Sequence, residues 1–146
     1  MRFTTIVAAT DGSPNSAASM EVAAEIARLS SARVIALHAF EPLALLGKVE
    51  PPVDFARHAR IARDLLDTEW TEALRAADVV YEALMVEDRP ADAILEVARA
   101  NNADLIVVGA RGLSPLQEIL LGSTTQELLA SAKCPVLVTP SGCDVR

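Results

Sequence analysis

Aromatic side chains are scarce in this chain: one Trp, one Tyr and three Phe among 146 residues. Its core must therefore be aliphatic. The scarcity also removes the stacking platforms that single-stranded nucleic acids use, and a formal charge of −7 removes the basic face that phosphate backbones need. Nucleic acid and anionic membrane surfaces are thus not expected partners. Only two lysines occur, Lys48 and Lys133, so no lysine-centred phosphate loop can be drawn. Two cysteines, Cys134 and Cys143, fit free thiols in a reducing compartment. Cys134, ahead of Pro135, reads as a small buried hydrophobe and Cys143 as an exposed tail residue. No apolar run is long enough to span a bilayer, and Met1 to Val7 runs into a strand pattern without the apolar core of a signal peptide, so the expected location is cytoplasmic. His38 and His58 are far apart and away from both cysteines, so no metal-ligand cluster is expected. His38 reads as a core histidine. No repeat, linker or low-complexity segment interrupts the chain, and residues 1–146 read as a single domain.

What is present is an alternation of apolar strands and amphipathic helices. Phe3 to Ala9 reads as a buried strand ending in Thr10-Asp11-Gly12-Ser13-Pro14, with Ser13 as N-cap and Pro14 in the first helical turn. Ala18, Val22, Ile26 and Leu29 then recur at helical spacing to about Ser30. Arg33 to Phe40 is a second strand, and the proline-bearing stretch 41–52 is a surface excursion. Phe55, Ala59, Ala62, Leu66, Trp70 and Leu74 predict one long helix from Asp54 to about Ala77, with Trp70 in the core. Val79 to Val86 is a third strand. Pro90 opens a helix that Asn101-Asn102 can stop, since Asn tolerates the left-handed conformation. Asp104 to Val108 is a fourth strand, Gly109 to Gly122 a loop, and Ser123 the cap of a helix to about Ala132. Val136 to Val138 is a fifth strand.

Five strands alternating with helices, each strand nearly unbroken in its apolar run, predict an α/β fold. The expected architecture is one doubly wound parallel sheet covered on both faces. Such sheets bind ligands beyond the carboxyl ends of their strands, where the strand order reverses. The exits of strands one and four, both rich in small residues, are the places to look. After strand four come Gly109-Ala110-Arg111-Gly112, nine more residues, and Gly122-Ser123-Thr124. Three glycines let the main chain close on a phosphate. The helix starting at Ser123 offers amides and a positive dipole end, and Ser123 and Thr124 add hydroxyls. Arg111 is the loop's one cation, either a phosphate contact or a solvated charge. The pattern is neither a P-loop nor a dinucleotide fingerprint, since it lacks Gly-Lys-Ser/Thr and a tight glycine triplet after strand one.

These residues resemble the universal stress protein family over essentially the whole length. The resemblance is carried by Ile6-Val7-Ala8-Ala9-Thr10-Asp11-Gly12-Ser13, Ala103 to Gly109, Gly122-Ser123-Thr124-Thr125 and Cys134-Pro135-Val136-Leu137-Val138. Gly109, Gly112, Gly122 and Ser123 match the glycine, two residues, glycine, nine residues, glycine, Ser/Thr pattern of the family's nucleotide-binding branch. The resemblance implies strand order 3-2-1-4-5, an adenine-nucleotide alpha-hydrolase-like layout, and ATP as ligand with cyclic AMP as the alternative. It implies that Asp11 lies near the ribose and, through nucleotide-bound Mg2+, near a metal; its plainer role would be to order the turn before the first helix. Thr10 would line the pocket beside it. Ala39 matches a position whose main chain meets the adenine edge, where relatives often carry Val. Gln117 and Glu118 stand where relatives often carry a basic residue. The fifth strand would lie at the sheet edge and pair two copies into a homodimer.

The implied function is a regulatory ATP-binding sensor in stress response, with little or no hydrolysis, because no residue stands out as a base to activate water. A slow ATPase is the enzyme-class alternative; the serine- and glycine-rich loop of the related pyrophosphatases is missing after strand one. A phospho-receiver would share the layout and the aspartate, but Thr139-Pro140-Ser141 supplies no lysine after strand five. A nucleotide-independent module that pairs with another, unidentified protein completes the alternatives.

Overall fold

The computed structural model describes residues 1–110 and 121–145. Five strands, β1 (Thr5–Ala9), β2 (Arg33–Phe40), β3 (Tyr81–Glu87), β4 (Leu105–Gly109) and β5 (Val136–Thr139), form one sheet in the order β3-β2-β1-β4-β5. Every adjacent pair is parallel. The helices are α1 (Pro14–Ser30), α2 (Phe55–Asp67), α3 (Glu72–Ala76), α4 (Pro90–Ala100) and α5 (Ser123–Ser131), with a short 3-10 turn at Pro42–Leu45. The doubly wound sheet and the order 3-2-1-4-5 are therefore as expected.

Strand periodicity sorts the core into two layers. Ile6, Ala8, Val34, Ala36, Leu105 and Val107 pack with Met20, Ala23, Ala24, Ala27 and Leu74 from α1 and α3. Val7, Ile35, Leu37, Ile106 and Val108 pack with Ile94, Val97 and Leu128 from α4 and α5. Successive strand residues face opposite layers, and both layers are apolar, which is why the strands read as continuous hydrophobic runs. Asp104 anchors the start of β1 to the start of β4. Its Oδ2 accepts from the Thr4 amide and the Thr4 hydroxyl, each at 2.7 Å, and from the Thr5 amide at 2.9 Å. These bonds hold its carboxyl below the ordinary carboxylate value, the Thr4 hydroxyl contributing most.

Three expectations need correction. In α1 the buried stripe is Ser16, Ala18, Ser19, Met20, Ala23, Ala24 and Ala27, whereas Leu29 is 71% exposed. The small residues let the helix lie close on the sheet, so size rather than hydrophobicity chose the inner face. The long helix over 54–77 is two helices. Thr68 Oγ1 donates to the Asp64 carbonyl at 2.6 Å and Thr71 Oγ1 to the Leu66 carbonyl at 2.8 Å, while the Trp70 amide closes on the Leu65 carbonyl at 2.9 Å. Hydroxyls take carbonyls that a continuous helix would use. The apolar period survives the break because Leu66 and Leu74 stay fully buried on either side; Trp70 is half-buried. Finally, Cys134 and Cys143 are both half-buried, not one buried and one exposed. Burial pushes the Cys134 thiol up, away from nucleophilic use.

Candidate functional site

The turn after β1 is built by short hydroxyl side chains. Ser13 caps α1, its hydroxyl accepting from the Ser16 amide at 3.2 Å, and Pro14 begins the helix. Ser16 Oγ donates to the Ser13 carbonyl at 2.9 Å and lies 3.1 Å from Thr10 Oγ1. Thr10 Oγ1 in turn accepts from the Gly12 amide at 3.2 Å. Asp11 Oδ1 accepts from the Ser13 amide at 2.9 Å, which is the turn-ordering role weighed for it. Among the described residues this bond engages Oδ1 and not Oδ2. Thr10 itself is buried, Asp11 half-buried.

Gly12 is constrained twice. Its φ of +79° lies in the left-handed region, and a Cβ there would come within 2.5 Å of the Trp70 ring. Trp70 sits edge-on to His38, ring centroids 5.0 Å apart at 62°. His38 Nδ1 is 2.8 Å from the Thr10 carbonyl oxygen. Because a carbonyl only accepts, Nδ1 carries the proton. The sequence reading took His38 and Trp70 as core residues; in the structure they back the turn. A cavity of about 370 Å³ opens beside Thr10, Gly12 and Ser13, walled by Met20 of α1 and by Trp70 and Ala73, with Glu21, Glu69 and Glu72 also lining it.

The exit of β4 lies alongside, since β1 and β4 are neighbours. They leave the sheet for opposite layers, β1 into α1 and β4 toward α5. This is the reversal of strand order at which doubly wound sheets bind ligands. A Cβ on Gly109 would lie 3.1 Å from the main-chain carbon and oxygen of Asn15, so the absent side chain lets the two exits touch. Thr125, which the sequence reading did not select, is buried and donates from Oγ1 to the Gly109 carbonyl at 2.9 Å. Its hydroxyl was inseparable by pattern from those of Ser123 and Thr124.

Ser123 does not cap α5 as expected. Gly122 is the N-cap, with φ −67° and ψ 160°, and Ser123 is the first helical residue. No side chain caps this end among the described residues, and the Gly122 amide is bonded to the Ala110 carbonyl at 2.8 Å. Among the described residues, the main-chain amides left at the helix start are those of Ser123, Thr124 and Thr125, of which Ser123 is exposed and Thr124 half-exposed. Arg111 and Gly112, with Gln117 and Glu118, lie outside the described residues. Ala39 sits on β2 opposite Val86 and packs its side chain toward the α4/α5 layer. The structure thus brings Thr10, Asp11, Gly109, Gly122, Ser123 and Thr124 to one end of adjacent strands and their following helices. Ala39 lies one strand over. Among the described residues no group of three or more His, Cys, Asp or Glu could hold a metal. No described helix is long and apolar enough to cross a membrane.

A five-stranded parallel sheet in the order 3-2-1-4-5, with an aspartate turn after β1 and a glycine exit from β4 at the reversal point, defines a doubly wound α/β domain. Residues 2–140 match the model of the universal stress protein family, and the chain belongs to that family. It is 40% identical over 138 residues to the universal stress protein encoded in the QAH/OAS sulfhydrylase 3' region of Thermus aquaticus, covering 93% of this chain and 98% of that one. It is 31% identical over 145 residues to universal stress protein YxiE of Bacillus subtilis, covering 93% and 98%. Among solved structures, universal stress protein UspA from Lactobacillus plantarum superposes with a TM-score of 0.80 at 25% identity, over 94% of this chain and 98% of that one. A universal stress protein in complex with cyclic AMP superposes with a TM-score of 0.73 at 30% identity, over 96% and 98%.

Proposed function

We propose that this chain is a single universal stress protein domain over residues 1–146 that binds an adenine nucleotide, ATP by preference, at the exits of β1 and β4. In this reading it acts as a homodimeric nucleotide sensor in stress response with little or no hydrolysis. The carrying observation is the close approach of the β4 exit at Gly109 to the start of α1 at Asn15. It sets the Asp11 turn beside a glycine-bearing exit at the strand-order reversal. The phosphates would meet the amides and hydroxyls of Ser123 and Thr124 at the start of α5, together with Arg111 and Gly112. Asp11 Oδ2 would face the ribose or a nucleotide-bound Mg2+, and the main chain at Ala39 the adenine edge. The acidic net charge gives no long-range attraction for a triphosphate, so affinity must come from these local donors.

Cyclic AMP is the second reading, favoured by the ligand of the 30% identical neighbour. Heat or acid release of ligand from the purified protein, followed by mass spectrometry, separates the two: ATP supports the first, cyclic AMP alone redirects it. Gly122→Val should abolish binding in an ATP and magnesium titration while folding survives, because valine readily adopts φ −67°, ψ 160°. Wild-type affinity in that variant would refute the site. Incubation with labelled ATP distinguishes a sensor from a slow ATPase.

A further inference from the structure

The Thr10–Ser13 turn is supported by two residues from outside it, His38 and Trp70. Behind Gly12 stands the Trp70 indole, so near that even a methyl group would overlap it. Behind Thr10 stands His38, whose Nδ1–H donates to the Thr10 carbonyl at 2.8 Å. The two rings touch edge to face. Thr10, Gly12, Ser13 and Trp70 all line the 370 Å³ cavity, so the indole meets the turn within the wall of that cavity. The three heavy atoms nearest a Cβ at Gly12 all belong to the Trp70 indole.

We propose that Trp70 and His38 are positioning residues for the nucleotide: they brace the Thr10–Ser13 turn from behind and hold Asp11 where the ligand meets it. This rests on the reading of that turn as part of the nucleotide site. The support comes from the α2–α3 break, since Trp70 lies in the turn made by the hydroxyls of Thr68 and Thr71. The break is therefore tied mechanically to the ligand site. The bracing acts on a turn whose internal bonds are short-range and hydroxyl-based, so losing it lets the turn sample other conformations without unfolding the sheet.

The test uses the whole chain and ATP with magnesium, with affinity measured by calorimetry and folding by thermal melting. Trp70→Ala and His38→Leu should each weaken ATP binding about tenfold, the scale of one lost positioning hydrogen bond or ring contact. Trp70→Phe keeps a ring and His38→Asn keeps a donor near Nδ1, so both should recover most of the affinity. Trp70 is the chain's one tryptophan, so its emission reads the brace directly. ATP should change it in the wild type, and His38→Leu should remove that change. Wild-type affinity in His38→Leu and Trp70→Ala, or no emission change on binding, overturns the proposal. Should Trp70→Ala fail to fold, the pair His38→Leu and His38→Asn decides: equal affinities refute the brace. If the wild type binds no adenine nucleotide at all, the nucleotide reading itself fails, and the positioning role falls with it.

Discussion

A methyl group at Gly109 would sit 3.1 Å from the Asn15 main chain, tighter than nine in ten real Cβ contacts, and the neighbour there is backbone rather than a flexible side chain. Gly109→Ala is therefore expected to cost about 1–3 kcal/mol through overpacking, seen as a lower thermal midpoint. It would weaken nucleotide binding as well, by prising the two exits apart. Gly122→Val should differ in the midpoint, which is kept while binding is lost. The two glycines of one motif thus separate by role. Asp104 gives a residue-scale prediction about pH. Its carboxyl is held below the ordinary 3.8 by the Thr4 hydroxyl and the Thr4 and Thr5 amides. A depressed folded-state value means the unfolded chain takes up the proton first. The contribution is present above the unfolded value and is lost as pH falls through the folded one. Urea midpoints should fall from about pH 5 to about pH 3, and Asp104→Asn should flatten part of that fall.

At the scale of elements, the α2–α3 break is the feature that periodicity concealed. Apolar spacing continues through it, so the residues that break the helix are visible only by their hydrogen bonds. Thr71 is fully buried and donates to the Leu66 carbonyl. Thr71→Val keeps the shape but leaves that carbonyl without its hydroxyl donor, which should destabilise the fold by about 1–3 kcal/mol. Differential scanning calorimetry measures this. Helix α1 teaches a related lesson: a stripe of alanine and serine lies inward while Leu29 faces out. Sequence patterning weights side chains by hydrophobicity, but the sheet accepted the helix by how closely its backbone could approach. Ser13 and Pro14 were legible as a helix start because capping is local chemistry. Ser123 was misassigned for the same reason: Gly122, one residue earlier, takes the extended conformation that a cap needs.

For the whole molecule, the strand order leaves β5 paired on one side only, to β4. The Pro135 and Thr139 carbonyls are taken by the Ile106 and Ala110 amides, at 3.0 and 2.8 Å. Main-chain groups alternate along a strand, so those of Val136 and Val138 point outward from the sheet. An apolar edge with outward amides suits pairing with a second copy. If the homodimer forms there, Val138→Pro should remove an outward N–H without touching the bonds to β4. Analytical ultracentrifugation should then show a monomer with an unchanged circular dichroism spectrum. A dimer that persists in this variant would place the interface elsewhere.

The class of fold followed from the chain's own pattern, because apolar strands buried on both faces can be covered only by alternating helices. The turns at the exits of β1 and β4 were legible as glycine and hydroxyl residues, since tight turns and helix starts need those residue types whatever surrounds them. What required the tertiary structure was everything that depends on approach from a distance. Gly109 is small because Asn15 comes near, Gly12 because Trp70 does, and His38 bonds a carbonyl 28 residues away in the chain. Local propensity is encoded in neighbouring residues. Which side chain stands behind a turn is set only when separate elements pack, and no spacing along the chain records it.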